Sequence, residues 1–131
     1  MTNNPEQTAR GILEELQDAV AAKDLDGLAR LVSDDVVFFG TAEANLDRDQ
    51  TMAYLAREMA REGIIRWEWD RVAILASAPD SVSFAALGTV GIENQAGPDG
   101  DRAVFRLTCL AVRHDGRWRL RHFHGSMPQD A

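Results

Sequence analysis

The stretch that most constrains the fold is residues 115–128, which read DGRWRLRHFHGSMP. It begins with Asp115 and Gly116, which tolerate the positive φ angles of a tight turn between antiparallel strands. Side chains then alternate, as along any extended strand. One predicted face carries Trp118, Leu120, His122, His124 and Ser126, and the other carries Arg119, Arg121 and Phe123. The first face changes from bulky apolar to hydrogen-bonding residues, which predicts a strand running from a packed core into a polar pocket mouth.

Three segments before this turn also show strand periodicity, and each is longer than an ordinary strand. They are residues 64–75, 82–93 and 103–113, and residues 117–127 make the fourth strand. The Gly- and Pro-containing segment 94–101 is predicted to be an exposed loop. Long strands twist and curl, so we expect an antiparallel sheet that wraps around the rest of the chain.

Three helices are predicted before the strands. Asn4 followed by Pro5 has the composition of a helix start, and Asp24 and Asp47 are the predicted N-caps of two further helices. A short strand at residues 36–39 is expected between the last two helices, after a break at Ser33, Asp34 and Asp35. This order of elements indicates an α+β fold.

We expect one domain over residues 1–131, with a strongly curved antiparallel sheet wrapped around three N-terminal helices. The shape is a cone-like half-barrel, and a cone is harder to fill with side chains than a flat sandwich. An internal pocket is therefore predicted.

Charge and composition exclude several classes of partner. The chain has 21 acidic and 14 basic residues, a formal net charge of −7, which disfavours nucleic acid and anionic membranes. No apolar stretch of about 18 residues could span a membrane. The first residues do not resemble a secretion signal, and the single Cys109 reads as a small buried hydrophobe. We expect a cytoplasmic protein.

The strand at residues 103–113 is apolar on both faces, which is typical of a strand that is covered on both sides. One face has Phe105, Leu107, Cys109 and Ala111, and the other has Val104, Arg106, Thr108, Leu110 and Val112. The helices can cover only one face. A second copy of the sheet is the simplest cover for the other, so we expect a homodimer that packs through Leu110 and Val112.

The order of elements resembles a known family. Two helices, the segment DDVVFFG, a third helix and four strands ending HDGRWRLRHFHGSMP are similar to the SnoaL-like group of the nuclear transport factor 2-like superfamily, which has a cystatin-like fold. The closing strand also resembles that of the association domain of calcium/calmodulin-dependent protein kinase II. The resemblance covers residues 6–128. It implies a curved sheet, a pocket between sheet and helices, and commonly a dimer, but it implies no single function, because the superfamily includes cyclases, isomerases, dehydratases and oligomerising domains.

His122 and His124 are the first candidates for chemistry. Alternation places both imidazoles on one face, with Cα atoms about 7 Å apart. Each could donate to a ligand, act as a general base or simply be a satisfied structural histidine. No third ligand stands at a supporting spacing, so no metal site is expected. Asp70 is a further candidate base, although alternation places it opposite Trp69 and a solvated ion pair is the competing interpretation.

The predicted pocket lining is Phe38, Tyr54, Trp67, Trp69, Arg106, Trp118 and Ser126. Trp67 and Trp69 share a strand face and could wall an apolar cavity or merely pack in the core. Tyr54 is the only tyrosine and lies beside the apolar stripe of the third helix, which is typical of a half-buried surface residue. The resemblance to a superfamily that includes steroid isomerases implies the alternative, a hydroxyl at the pocket opening. Arg106 could bind an anionic group or form an internal ion pair.

Three functions remain open, and none needs a cofactor. The first is a small dimeric protein whose apolar pocket binds a hydrophobic, cyclic small molecule. The second is a proton-transfer enzyme of the isomerase, cyclase or dehydratase type. The third is a dimerisation module like the kinase II association domain. We rank binding first, because the sequence offers apolar lining and two histidines but no unambiguous inward carboxylate.

Overall fold

A computed structural model describes residues 4–93 and 102–128. Three helices and six strands follow one another as α1 (Pro5–Ala21), α2 (Leu25–Leu31), β1 (Val32–Phe39), β2 (Ala44–Asn45), α3 (Arg48–Met59), β3 (Ile64–Ala78), β4 (Ser81–Glu93), β5 (Ala103–His114) and β6 (Arg117–Ser126). The predicted exposed loop at 94–101 lies outside the described residues. None of the helices in the described ranges is long and apolar enough to cross a membrane.

The six strands form one curved, unclosed sheet in the order β2-β1-β6-β5-β4-β3. The four long strands β3 to β6 make consecutive antiparallel ladders, whereas β1 lies parallel to β6. Helix α1 packs mainly on β3, and α3 packs on β1. The predicted α+β class and the curved sheet around three helices are therefore confirmed.

The predicted helix starts and the predicted turn are confirmed by backbone geometry. The side chain of Asn4 accepts from the backbone N–H of Gln7, and Asp47 does the same for Gln50. Asp115 and Gly116 both have positive φ, 53° and 75°, as the tight turn between β5 and β6 requires. These features depend on neighbours in sequence, which explains why they could be predicted.

The second helix ends before Ser33, as predicted, but the first strand begins four residues earlier than the predicted Val36. Strand β1 begins at Val32, because α2 ends at Leu31 and the next residue is already extended. The Asp35 carboxylate accepts from the Ser33 hydroxyl at 2.9 Å and pairs with Arg121 at 3.0 Å. The hydrogen bond from Ser33, and to a smaller extent Arg121, holds the pKa of the Asp35 carboxyl below its ordinary value. The polar side chains of Ser33 and Asp35 thus have partners in the first half of β1.

A β-bulge in β6 changes which of its residues face the helices. Leu120 pairs with Ala111 and His122 pairs with Leu110, so Arg121 has no partner of its own on β5. Because strand side chains alternate, one extra residue turns all following side chains to the opposite face. Phe123 and Gly125 are consequently buried beneath the helices, as Leu120 is before the bulge. The predicted single face from Trp118 to Ser126 is therefore wrong beyond Leu120.

A second bulge, at Asp70, bends β3 beside β4. Trp69 pairs with Gly88 and Arg71 pairs with Leu87, which leaves Asp70 as the extra residue. At this point the two backbones approach so closely that a Cβ on Gly88 would collide with the carbonyl oxygen of Glu68. Glycine is therefore required at position 88, where the backbones of β3 and β4 approach this closely.

The core lies between the concave face of the sheet and the helices. Its largest fully buried side chains are Phe84, Leu13, Leu16, Leu28, Leu107, Leu120, Val32, Val36, Thr51 and Cys109. Cys109 is a buried free thiol, as expected, and burial raises the pKa of that thiol. The inward residues of β5 are thus ordinary core residues.

Arg48, the first residue of α3, joins three elements that meet at one corner of the fold. Its guanidinium donates to the carbonyl oxygens of Ala29 and Val32, both at 2.9 Å. Ala29 lies in the last turn of α2, where carbonyl groups have no partner within the helix. Arg48 therefore caps α2 while it holds the start of β1 against α3.

We expect Arg48→Ala to lower the free energy of unfolding by about 1–3 kcal/mol, because two partly buried carbonyls lose their donor. Urea denaturation at one protein concentration would measure the change. The control is Arg10→Ala, which removes an exposed helical ion pair with Glu6 and should cost less than about 0.5 kcal/mol. Equal losses in the two variants would contradict the capping role.

Candidate functional site

A cavity of about 620 Å³ lies between the concave face of the sheet and α3. Six structural elements contribute to it, namely helix α3 and the strands β1, β3, β4, β5 and β6. It is lined by Phe38, Gly40, Thr41, Ala42, Glu43, Tyr54, Leu55, Glu58, Arg61, Ile65, Trp67, Val90, Gly91, Ile92, Ala103, Phe105, Phe123 and Met127. Of the seven predicted lining residues, Phe38, Tyr54 and Trp67 are in this set.

The floor of the cavity is made of aromatic rings. Phe38 on β1 and Phe123 on β6 stack with centroids 4.1 Å apart and planes 1° from parallel. The ring centroid of Trp67 on β3 lies 6.5 Å from that of Phe123 and 5.9 Å from that of Phe105 on β5. Rings from four strands thus meet at one end of the sheet, and they offer flat apolar surfaces to a ligand.

Tyr54 stands over this floor, and its phenol lies against the backbone of Gly40. A Cβ on Gly40 would collide with the phenol oxygen, so only glycine lets the ring occupy this place. Burial raises the pKa of Tyr54, and the nearby carboxylates of Glu58 and Glu43 raise it further. The phenol is therefore neutral at physiological pH and can donate a hydrogen bond to a ligand.

Charged side chains are confined to the rim of the cavity. Glu58 on α3 pairs with Arg61 at 3.3 Å, and Glu43 pairs with Arg57 at 2.5 Å. Three of these four residues line the cavity, and Arg57 stands outside the lining. The cavity is thus apolar at its floor and hydrogen-bonding and charged where it opens.

The two tryptophans of β3 share the inner face of the sheet, as alternation requires. Their rings are 6.0 Å apart and 25° from parallel. Trp69 is not part of the lining, because it packs beside Phe105 one step further into the core. Neither indole N–H has a hydrogen-bond partner among the described residues.

His122 and His124 lie on the outer face of the sheet, away from the cavity lining. His122 Nδ1 is 2.9 Å from the carbonyl oxygen of Val37, and since a carbonyl only accepts, this nitrogen carries the hydrogen. Both imidazoles meet Phe39 edge to face at 5.5 Å. The bulge at Arg121 is the reason that the predicted catalytic histidines do not reach the pocket.

The other predicted site residues also lie outside the lining. Asp70 is exposed at its bulge, and Arg106 is exposed on the outer face, where its Nε donates to Ser126 Oγ at 3.2 Å. Arg106 is therefore not the buried charge that the sequence suggested. Trp118 lies at the start of β6, away from the cavity, and its ring centroid is 5.4 Å from the guanidinium carbon of Arg113.

Metal-ligand geometry is not found in the parts of the chain that the structure describes. Within residues 4–93 and 102–128, no group of three or more His, Cys, Asp or Glu side chains is arranged to hold a metal ion. The ionisable groups that do meet at the cavity are two carboxylates, one phenol and one guanidinium.

Comparison with known families identifies the chain. The model of the SnoaL-like domain matches residues 10–130. The chain belongs to the SnoaL-like domain family. No curated protein matches this SnoaL-like domain significantly.

Solved structures share the fold of this SnoaL-like domain at low sequence identity. An NTF2-like protein of unknown function from Pseudomonas putida is 22% identical, with a TM-score of 0.81 over 99% of this chain and 91% of that one. A proposed calcium/calmodulin-dependent protein kinase II association domain from Xanthomonas campestris is 18% identical, with a TM-score of 0.82 over 95% and 88%. A proposed dehydratase of the NTF2-like family from Streptomyces avermitilis is 14% identical, with a TM-score of 0.81 over 95% and 96%. These likenesses confirm the predicted fold.

Sequence reasoning missed the rim of this SnoaL-like domain, namely Glu43, Glu58 and Arg61. One signal was available for Glu58, which follows Tyr54 by four positions and so lies on the same face of α3. Glu43 had no such signal, because its place follows from a short loop and the two-residue strand β2.

Absorbance titration of the phenol tests the position of Tyr54, since it is the only tyrosine. We expect its titration midpoint to lie above the ordinary value of about 10. Because the pKa is raised in the folded state, the stability linked to the neutral phenol is present below the ordinary pKa and is lost as pH rises through the raised one. Glu58→Gln should lower the midpoint, whereas Glu14→Gln on α1 should not. A wild-type midpoint at or below the ordinary value would contradict this environment.

Proposed function

We propose that this SnoaL-like domain binds an apolar, ring-containing small molecule in the cavity between the sheet and α3. The observation that carries the proposal is the aromatic floor beneath a single phenol donor. A volume of about 620 Å³ falls within the usual range of small-molecule sites. Flat rings on the floor suit a flat ligand, and Tyr54 can orient it by donating to one oxygen.

A proton-transfer enzyme is the second candidate, and the lining restricts which residues could serve it. The earlier candidates His122, His124 and Asp70 lie outside the cavity lining. Glu58 is a partly buried carboxylate that could accept a proton, and Tyr54 could donate a hydrogen bond to the developing charge. The dehydratase proposal for the Streptomyces avermitilis neighbour is consistent with this class of chemistry. We rank it second, because Glu58 is already paired with Arg61.

Self-association through the outer face of the sheet is a further part of the proposal. This face carries Leu110 and Val112 half-buried, and Leu87 and Val104 exposed. Residues 1–63, which contain the helices, have 13 acidic and 6 basic side chains, a net charge of −7. The segment that contains β3 to β6 has 8 of each and is neutral. Two such sheets can approach without the repulsion that opposes contact between helical surfaces. The association-domain neighbour makes a pure dimerisation module the third candidate.

Ligand binding is tested with the neutral fluorescent dye N-phenyl-1-naphthylamine. We expect Val90→Phe, which adds a ring to the lining, to weaken dye binding at least tenfold, equivalent to about 1.4 kcal/mol. Leu75→Phe is the matched control, since Leu75 is exposed on β3 and outside the lining. Circular dichroism would show that both variants are folded. Equal dye affinity in wild type and Val90→Phe would refute binding in this cavity.

Light scattering at micromolar concentration tests self-association. The wild-type chain should have about twice the single-chain mass of 14.5 kDa, and Leu110→Asp should have the single-chain mass. Leu46→Asp, an equally drastic change at an exposed leucine before α3, should leave the mass unchanged. A wild-type mass equal to that of one chain would contradict the dimer proposal.

A further inference from the structure

We infer that the rim carboxylates Glu58 and Glu43 make the cavity selective against anionic ligands, so that it takes uncharged or cationic ring compounds. This rests on the proposed function, because it concerns the same cavity. It adds a chemical class of ligand, and it assigns specificity to two side chains that shape the cavity opening without forming its aromatic floor.

In both ion pairs at the rim the carboxylate is the less exposed partner, although Arg61 also lines the cavity. The Glu58 side chain is 22% exposed and its partner Arg61 is 72% exposed. Glu43 is 43% exposed and its partner Arg57 is 59% exposed. In each pair the carboxylate lines the cavity and the guanidinium is the more solvated partner. Solvent screens the more exposed arginines more strongly than the acids, so the net field that a ligand meets inside the rim is negative.

The raised pKa of Tyr54 indicates that the electrostatic potential inside the rim is negative. After burial, the charges that raise its pKa are Glu58 and then Glu43, and the opposing effects of Arg61 and Arg57 are smaller. A negative charge on the phenol oxygen is therefore disfavoured by its surroundings. The same holds for any anionic ligand group that would accept a hydrogen bond from this phenol, since it must lie within hydrogen-bond distance of that oxygen.

The consequence differs between ligand classes. A carboxylate that enters must give up water and remain near two other carboxylates, and the one guanidinium in the lining, that of Arg61, is already paired with Glu58. A carbonyl or hydroxyl oxygen can accept from Tyr54 without that repulsion. An ammonium group can approach Glu58 directly. The rim should therefore discriminate by charge, although the floor would accept the same ring in every case.

Three probes with one ring system test this inference at neutral pH: 2-naphthol, 2-naphthoate and 2-naphthylmethylammonium, each measured by displacement of N-phenyl-1-naphthylamine. We expect the naphthol and the ammonium compound to bind at least about tenfold more tightly than the naphthoate. Glu58→Gln should tighten naphthoate binding at least threefold and leave naphthol binding unchanged. Glu43→Gln should act in the same direction, and it serves as the second variant if Glu58→Gln does not fold.

Glu62→Gln is the matched control, because it removes the same charge from an exposed residue outside the lining. It should leave the naphthoate-to-naphthol ratio unchanged. If wild-type protein binds naphthoate as tightly as naphthol, or if Glu62→Gln changes the ratio as much as Glu58→Gln does, the rim has no selective role and the cavity proposal stands. If the dye itself does not bind, the proposed function fails and the inference fails with it.

Discussion

The unpaired residue at Arg121 decides which side chains of β6 meet the helices. Before it, Leu120 packs into the core, and after it Phe123 takes the inward position that uninterrupted alternation would give to His122 and His124. Phe123 then stacks on Phe38 of the parallel neighbour β1. Without this bulge the cavity floor would carry imidazoles in place of a phenyl pair. The apolar character of the site thus depends on one local break in a ladder.

Because of the same bulge, the two faces of the sheet carry side chains of different chemistry. The concave side holds the aromatic floor, with the phenol of Tyr54 above it and paired charges at the opening. The convex side holds the two histidines beside Phe39, together with Leu110 and exposed polar groups. The proposed ligand binding and the proposed self-association can therefore be altered independently, since their residues lie on opposite faces of one sheet.

Much of the fold could be predicted because it rests on local rules. The caps at Asn4 and Asp47, the turn at Asp115 and the strand periodicity all depend on residues a few positions apart. The inward face of β5 was predictable for the same reason. The candidate site was predicted less well: Phe38, Tyr54 and Trp67 line the cavity, whereas the histidines do not. A prediction that side chains alternate is wrong after a bulge, because the bulge adds one residue to the strand. A sequence such as RLRHFH does not indicate where such an extra residue lies.

The sequence by itself determined the α+β class, the helix starts, the long strands and the family, since each is encoded in neighbouring residues or in an ordered pattern. Only the tertiary structure decided where the rings and charges meet. Glu43, Tyr54 and Arg57 come together because β2 and α3 pack across β1. The rings of Phe105 and Trp67 come together across β4, the strand between β5 and β3. Such contacts join residues far apart in the chain, and their geometry depends on sheet curvature and register, which no local pattern specifies.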